Sequence, residues 1–176
     1  QAEDGIRDLT CDWSSDVCSS DLTQDPEAQQ LAHQLFEQSQ NQPEEYIQTV
    51  LKWYRKNGFV YTLTPGTLGG DRIDQFLFSS RKGFCEHYAS SFVMLMRFVG
   101  IPARIVTGYQ GGQLAIDGQS WEVRQLDAHA WSEVYIDGKW KRIDPTAMIA
   151  PQRIDTGIDR KSTRLNSSHM SESRMP

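Results

Sequence analysis

The sequence predicts an α+β domain with helices first and an antiparallel sheet last. Two observations carry that reading. Apolar residues recur at helical spacing in three separate stretches before Pro102, and after it the pattern turns β-like, with Asp137-Gly138 as a short hairpin signal.

The ends need separate treatment. Asp159–His169 reads DRKSTRLNSSH and resembles the in-frame translation of a sequencing-library adaptor; Met170–Pro176 suits its continuation. Gln1–Leu22 has no apolar period and resembles the opposite strand of the same adaptor. Residues 1–22 and 159–176 are therefore expected to be non-native tails, and 23–158 a single domain with one core. The chain carries 18 Lys+Arg and 23 Asp+Glu, net −5; over 23–158 there are 13 basic and 15 acidic residues, net −2. Neither balance suggests a nucleic-acid or membrane surface. Cys11 and Cys18 fall in the first tail, so Cys85 stands alone and no disulfide framework is implied. No apolar run approaches the ~20 residues of a membrane span.

Asp25-Pro26 reads as a cap followed by proline at the first helical position, with Ala28, Leu31, Ala32, Leu35 and Phe36 on one face to about Gln40. A second helix starts at Gln42-Pro43 and buries Ile47, Val50, Leu51 and Tyr54 before Asn57-Gly58 ends it. Phe59 to Leu63 is a short β-prone run. Thr64 to Lys82 is rich in Gly and Pro around Phe76-Leu77-Phe78 and predicts a long loop. From Cys85, small or apolar residues at Ala89, Phe92, Met96 and Val99 predict a helix that stops at Gly100-Ile101-Pro102. Strands follow at Arg104 to Tyr109, Ser120 to Gln125, Ala128 to Ile136 and Lys139 to Asp144.

Cys85 sits where a loop becomes a helix. The positive end of the helix dipole favours a thiolate there, although a lone cysteine is more often a buried packing residue. A two-residue loop at Asp137-Gly138 makes Ile136 oppose Lys139. Carried down the hairpin, that register sets Trp131 opposite Asp144, with His129 one diagonal step away on the same face. Glu133 and Arg142 pair in the same register, as a solvated polar face would also have it, so the hairpin alone leaves the question open. Cys85, His129 and Asp144 together match the needs of nucleophilic thiol catalysis: a nucleophile, a base, and a group that orients the base. A zinc site on Cys85, His87, His129 and Asp144 is the rival chemistry, but structural zinc sites pair their ligands at short spacing, and Cys-x-His with two distant partners does not. No phosphate loop, calcium loop or dinucleotide fingerprint is present, so no cofactor or metal is expected. Glu86, His87, Tyr109 and Trp131 adjoin these residues in sequence, as cleft lining or as ordinary packing and solvated groups. His33 reads as a surface residue.

The stretches RKGFCEHYA, GIPARIVTGYQ, DAHAW and WKRIDPTA resemble the core of the transglutaminase-like superfamily, and in particular its bacterial membrane-anchored members. The resemblance covers most of 23–158. It implies a papain-like fold and a triad of nucleophile Cys85, base His129 and orienting Asp144. It further implies a glutamine or peptide amide as substrate, which includes cell-wall peptide, and an amine or water as acceptor. It implies a domain on the periplasmic side of a membrane-anchored parent. Hydrolysis on the same triad and a non-catalytic peptide-binding scaffold are the alternatives.

Overall fold

The computed structural model of the chain describes residues 25–66 and 72–151. The two adaptor-like tails lie outside the described residues, as does 67–71 within the expected loop.

Helix α1 (Pro26–Gln38) and helix α2 (Pro43–Lys56) form as their apolar periods require, each with proline in its first turn. The cap of α1 differs from expectation. Asp25 has a left-handed backbone (φ 60°) and makes no side-chain cap of its own helix. Its Oδ1 instead accepts the N–H groups of Ile73 and Asp74, while Asp74 accepts those of Glu27 and Ala28 at the start of α1. Two carboxylates thus cap each other's helix across 49 residues of sequence.

The segment read as a loop from Thr64 to Lys82 is a correction. A short helix α3 (Arg72–Asp74) runs directly into a π-helical turn, Gln75–Ser80, closed by an Arg81 N–H to Phe76 O bond. Phe76 and Leu77 are fully buried there, so the apolar knot belongs to the core. Strand β1 (Val60–Tyr61) pairs in parallel with β2 (Lys82–Gly83), which delivers the chain to helix α4 (Cys85–Phe98). Gly100, at φ +79°, ends α4 while Ile101 N–H returns to Met96 O.

Strand β3 (Ala103–Tyr109) begins the sheet. Two further short strands, β4 (Gln113–Leu114) and β5 (Trp121–Glu122), form a ribbon of their own, so the strand expected over Ser120 to Gln125 shrinks to two residues, and Gln125–Asp127 is a 3-10 turn. Strands β6 (Ala128–Ile136) and β7 (Lys139–Ile143) complete a three-stranded antiparallel sheet in the order β3-β6-β7. A last short helix, α5 (Thr146–Ile149), follows. Asp137 and Gly138 both have positive φ, 54° and 76°, the conformation a two-residue hairpin with the twist of its strands demands. The register runs unbroken from Ile136 opposite Lys139 to Ser132 opposite Ile143.

The core lies between α4 and its neighbours α1 and α2 on one side and β6 on the other. Ala130, Ser132, Val134 and Ile136 point from β6 into it, and Ser132 Oγ donates to Ala89 O of α4. Tyr46, Tyr54, Tyr88, Phe76 and Phe92 are fully buried, each apolar ring contributing about 1.5–3 kcal/mol by leaving water. Two of the phenols find partners, Tyr46 on Leu95 O and Tyr54 on Ser91 Oγ. This packing fixes the N-terminus of α4 against the start of β6.

Candidate active site

Cys85 is the first residue of α4, buried with Ala89 and Ala130. The strand β2 that leads into it is packed so closely that a Cβ on Gly83 would lie 2.7 Å from His87 Cβ and 2.8 Å from a carbon of Phe76. Only glycine fits there. His87 closes the helix end: its Nδ1 accepts the Phe84 N–H at 3.4 Å, and its ring packs on Phe76 and Phe84. Burial holds His87 below its usual pKa against the nearby charge of Glu86, which keeps Nδ1 free to accept.

His129 is the second residue of β6 and is buried. Its Nε2 lies 2.7 Å from Asp144 Oδ2, just beyond the end of β7, as the hairpin register predicts. The other carboxylate oxygen, Oδ1, accepts the Thr146 N–H at 3.1 Å, so Asp144 is held by its own turn. The imidazole also hydrogen-bonds the Cys85 thiol. The structure therefore brings together all three residues singled out in the sequence, in the order thiol, imidazole, carboxylate.

Electrostatics set their charges. Burial alone would lower the pKa of His129, but the hydrogen bonds to Asp144 and Cys85, and the charges of both, raise it to about 9. Burial likewise pushes the Cys85 thiol up. The hydrogen bond with His129, the backbone N–H groups of Ala130 and Glu86, and the imidazolium charge outweigh it and leave the thiol below its usual value. Both shifts favour the charged pair, a thiolate beside an imidazolium. The Ala130 N–H is a contribution that sequence reading had no means to find, because it depends on where β6 meets α4.

Of the flanking residues, Trp131 joins the site directly, its ring stacked on that of His129 with centroids 6.3 Å apart and planes 25° apart. Arg142, paired in register with Glu133, turns its guanidinium over Trp131 instead, and Glu133 is bound by Arg104 at 2.8 Å. Glu86 and His87 line a separate cavity of about 260 Å3 with Arg72, Ile73, Phe76 and Ser90. Tyr109 is exposed on β3, and His33 is exposed on α1. His87 is thus committed to the helix end, and the zinc quartet considered from sequence is not assembled. Among the described residues no three His, Cys, Asp or Glu side chains form a group suited to hold a metal.

Comparison with known proteins bears on this arrangement. The family model described as the transglutaminase-like superfamily matches residues 29–145. A protein-glutamine gamma-glutamyltransferase of Pseudomonas aeruginosa is 43% identical over 135 residues, which are 76% of this chain and 20% of that protein. The uncharacterised protein YebA of Bacillus subtilis is 33% identical over 66% of this chain and 17% of its own length. The crystal structure of the periplasmic domain of TgpA from Pseudomonas aeruginosa superposes with a TM-score of 0.72 at 41% identity, over 78% of this chain and 48% of that one. The chain thus spans about a fifth of these two curated relatives and about half of the solved domain.

Proposed function

The chain belongs to the transglutaminase-like superfamily, and on that premise we propose that it is a thiol acyltransferase that takes an acyl group from a glutamine or peptide amide and passes it to an amine. The observation that carries the proposal is His129 held between Cys85 and Asp144, with its Nε2 2.7 Å from the carboxylate.

In the reaction the Cys85 thiolate adds to the amide carbonyl carbon. The imidazolium of His129 gives its proton to the departing nitrogen, which leaves as ammonia from a glutamine side chain, and a thioester remains on Cys85. An incoming amine then attacks the thioester, the now neutral His129 takes its proton, and the thiolate departs to restore the ion pair. Asp144 keeps the ring oriented throughout and stabilises the imidazolium. The N–H of Cys85 itself, unpartnered within its helix at the first position, is the candidate donor to the oxyanion. The periplasmic origin of the solved relative supports a parent that is anchored in the inner membrane and presents this domain to the periplasm, where cell-wall peptide is an available amide. No helix among the described residues is long and apolar enough to cross a membrane.

The test is incubation of the chain with a glutamine-containing donor protein and a fluorescent primary amine as acceptor, following both amine incorporation and ammonia release, beside Cys85→Ala. Incorporation lost in the variant is the expected result. Ammonia release without incorporation assigns the thioester to water and makes the domain an amidase. A reactive thiolate with neither product leaves a peptide-binding scaffold.

A further inference from the structure

We propose that Trp131 is a positioning residue for the candidate base: its indole, clamped between the guanidinium of Arg142 and the imidazole of His129, holds that imidazole in line with both Asp144 and Cys85. The inference rests on the triad reading above and adds a residue to it that touches none of the reacting atoms.

The argument begins with register. His129, Trp131 and Glu133 alternate along the same face of β6, and Glu133 opposes Arg142 on β7. Trp131 therefore lies between the level of His129 and that of Arg142, and the ring geometry agrees. The imidazole stacks on the indole at 6.3 Å and 25°, within the range of favourable aromatic pairs, and Arg142 Cζ sits 4.1 Å from the indole centroid. Arg142 does not take the carboxylate opposite it. Arg104 binds Glu133, and Arg142 Nη2 reaches Gln110 Oε1 at 3.4 Å, which anchors the guanidinium over the ring.

A second observation is independent of the stack. Gly108 opposes His129 on β3, and a Cβ at this position would lie 2.9 Å from Trp131 Cη2 and 3.3 Å from Cζ3. The neighbouring strand is bare where the indole crosses it. The backbone of Gly108 is not in the left-handed region, so it is the ring and not the chain path that excludes a side chain here. Third, the indole N–H is buried and has no partner. A buried donor left unmade is a cost that a phenylalanine would avoid. What the position uses is the broad face of the ring.

The physical consequence concerns the imidazole. It interacts with both Asp144 and the Cys85 thiol, and each interaction depends on the same ring orientation. A flat surface against one face limits rotation and keeps water from the Nε2–Oδ2 bond, which strengthens it. The charged groups around the ring are Cys85 from α4, Asp144 after β7, and Arg142 beyond the indole. Asp127, just upstream, is engaged by Arg124.

The experiment measures the rate of Cys85 alkylation against pH in the full chain, for wild type, Trp131→Leu, Trp131→Phe and Gly108→Ala, with the His129 ring followed by nitrogen NMR. Folding of each variant is checked by thermal unfolding. In Trp131→Leu the thiolate limb is expected to move toward the ordinary thiol range, cutting the rate at neutral pH by about tenfold, with the His129 titration moving down. Trp131→Phe retains a ring face and recovers part of the loss. Gly108→Ala keeps the tryptophan but displaces it, and shifts both titrations in the same direction even where Trp131→Leu fails to fold. A folded Trp131→Leu or Gly108→Ala with the wild-type alkylation profile and His129 titration overturns the proposal. Because alkylation needs no acyl transfer, wild type that incorporates no amine but still shows these shifts would remove the proposed activity and leave the role of Trp131 standing.

Discussion

His129 Nε2 and Asp144 Oδ2 lie 2.7 Å apart across the β6–β7 hairpin, and the pairing follows from the turn at Gly138, nine residues after the histidine and six before the aspartate. The two-residue loop at Asp137-Gly138 sets the register, and the register brings residue 129 diagonally past residue 131 to the carboxylate at 144. A one-residue slip would turn His129 to the opposite face and break the site with every residue still present.

Asp144 is the first group among those that hold the His129 proton, against the downward pull of burial. In Asp144→Asn the imidazole keeps a neighbour of the same shape without the charge. The upper limb of Cys85 reactivity, set by loss of the imidazolium near pH 9 in wild type, is expected to fall by about one unit or more, a tenfold change in the ion pair at a fixed pH above neutrality. Alkylation rates between pH 5 and 10 measure it. An unmoved upper limb would assign the raised value to Cys85 alone.

The same pair sets an unusual dependence of stability on pH. The raised pKa of His129 alone gives stability that is lost as pH climbs from about 6.5 through about 9. The lowered pKa of Cys85 alone gives stability that is lost as pH falls through its folded value. Across the range in which His129 loses stability, the lowered Cys85 pKa works in the opposite sense, because the unfolded thiol still holds a proton that the folded thiol releases more readily. The two contributions oppose each other, and the pair gives less slope there than the histidine alone. In Cys85→Ala only the histidine side remains, so the thermal midpoint should decline with rising pH across that window relative to wild type. Calorimetry at several pH values tests this; parallel curves for the two proteins count against the ion pair.

Gly83 is the third lever. A Cβ there meets His87 Cβ at 2.7 Å and Phe76 at 2.8 Å, and both neighbours are packed against the start of α4. Gly83→Ala must therefore displace the first turn of the helix that carries Cys85. The expected cost is about 1–3 kcal/mol of stability, as for overpacking elsewhere, together with a thiol less reactive at neutral pH. Urea unfolding and alkylation read the two effects separately. Wild-type values for both would mean that the turn relaxes freely.

The hairpin and the cysteine helix were legible because each is written locally, in Asp137-Gly138 and in the spacing of Cys85, Ala89, Phe92 and Met96. The segment around Phe76-Leu77-Phe78 was not. Its turn closes with an i→i+5 bond from Arg81 to Phe76, a pattern that a search at the 3.6-residue period does not detect. The strand expected at Ser120 to Gln125 fell short for a different reason. Its β-prone residues Trp121 and Val123 are both exposed, and the strand that forms, Trp121–Glu122, pairs in a short ribbon with Gln113 and Leu114 rather than against the core. At Arg142, local register gave the opposite residue, Glu133, but not where the guanidinium turns. The choice between Glu133 and Trp131 depends on Arg104 from a third strand.

The misread cap at Asp25 leads to the last prediction. A carboxylate before proline at a helix start is ordinarily a cap for its own helix, but here Asp74 supplies that service and Asp25 returns it to the Arg72–Asp74 turn. Asp74→Ala leaves the Glu27 and Ala28 N–H groups without their carboxylate, and the cost should be about 1–2 kcal/mol, the usual range for a lost cap. Asp25→Ala should cost a comparable amount, with more of it realised as a buried carboxylate's unpaired donors at Ile73 and Asp74. The two caps join the same pair of helix starts, so either loss loosens the joint that the other needs. The double variant should then lose less than the sum of the singles, a coupling above the ~0.5 kcal/mol expected of independent sites. Additive losses in urea unfolding would mean that each carboxylate acts on one helix end and the joint between them has no stability of its own.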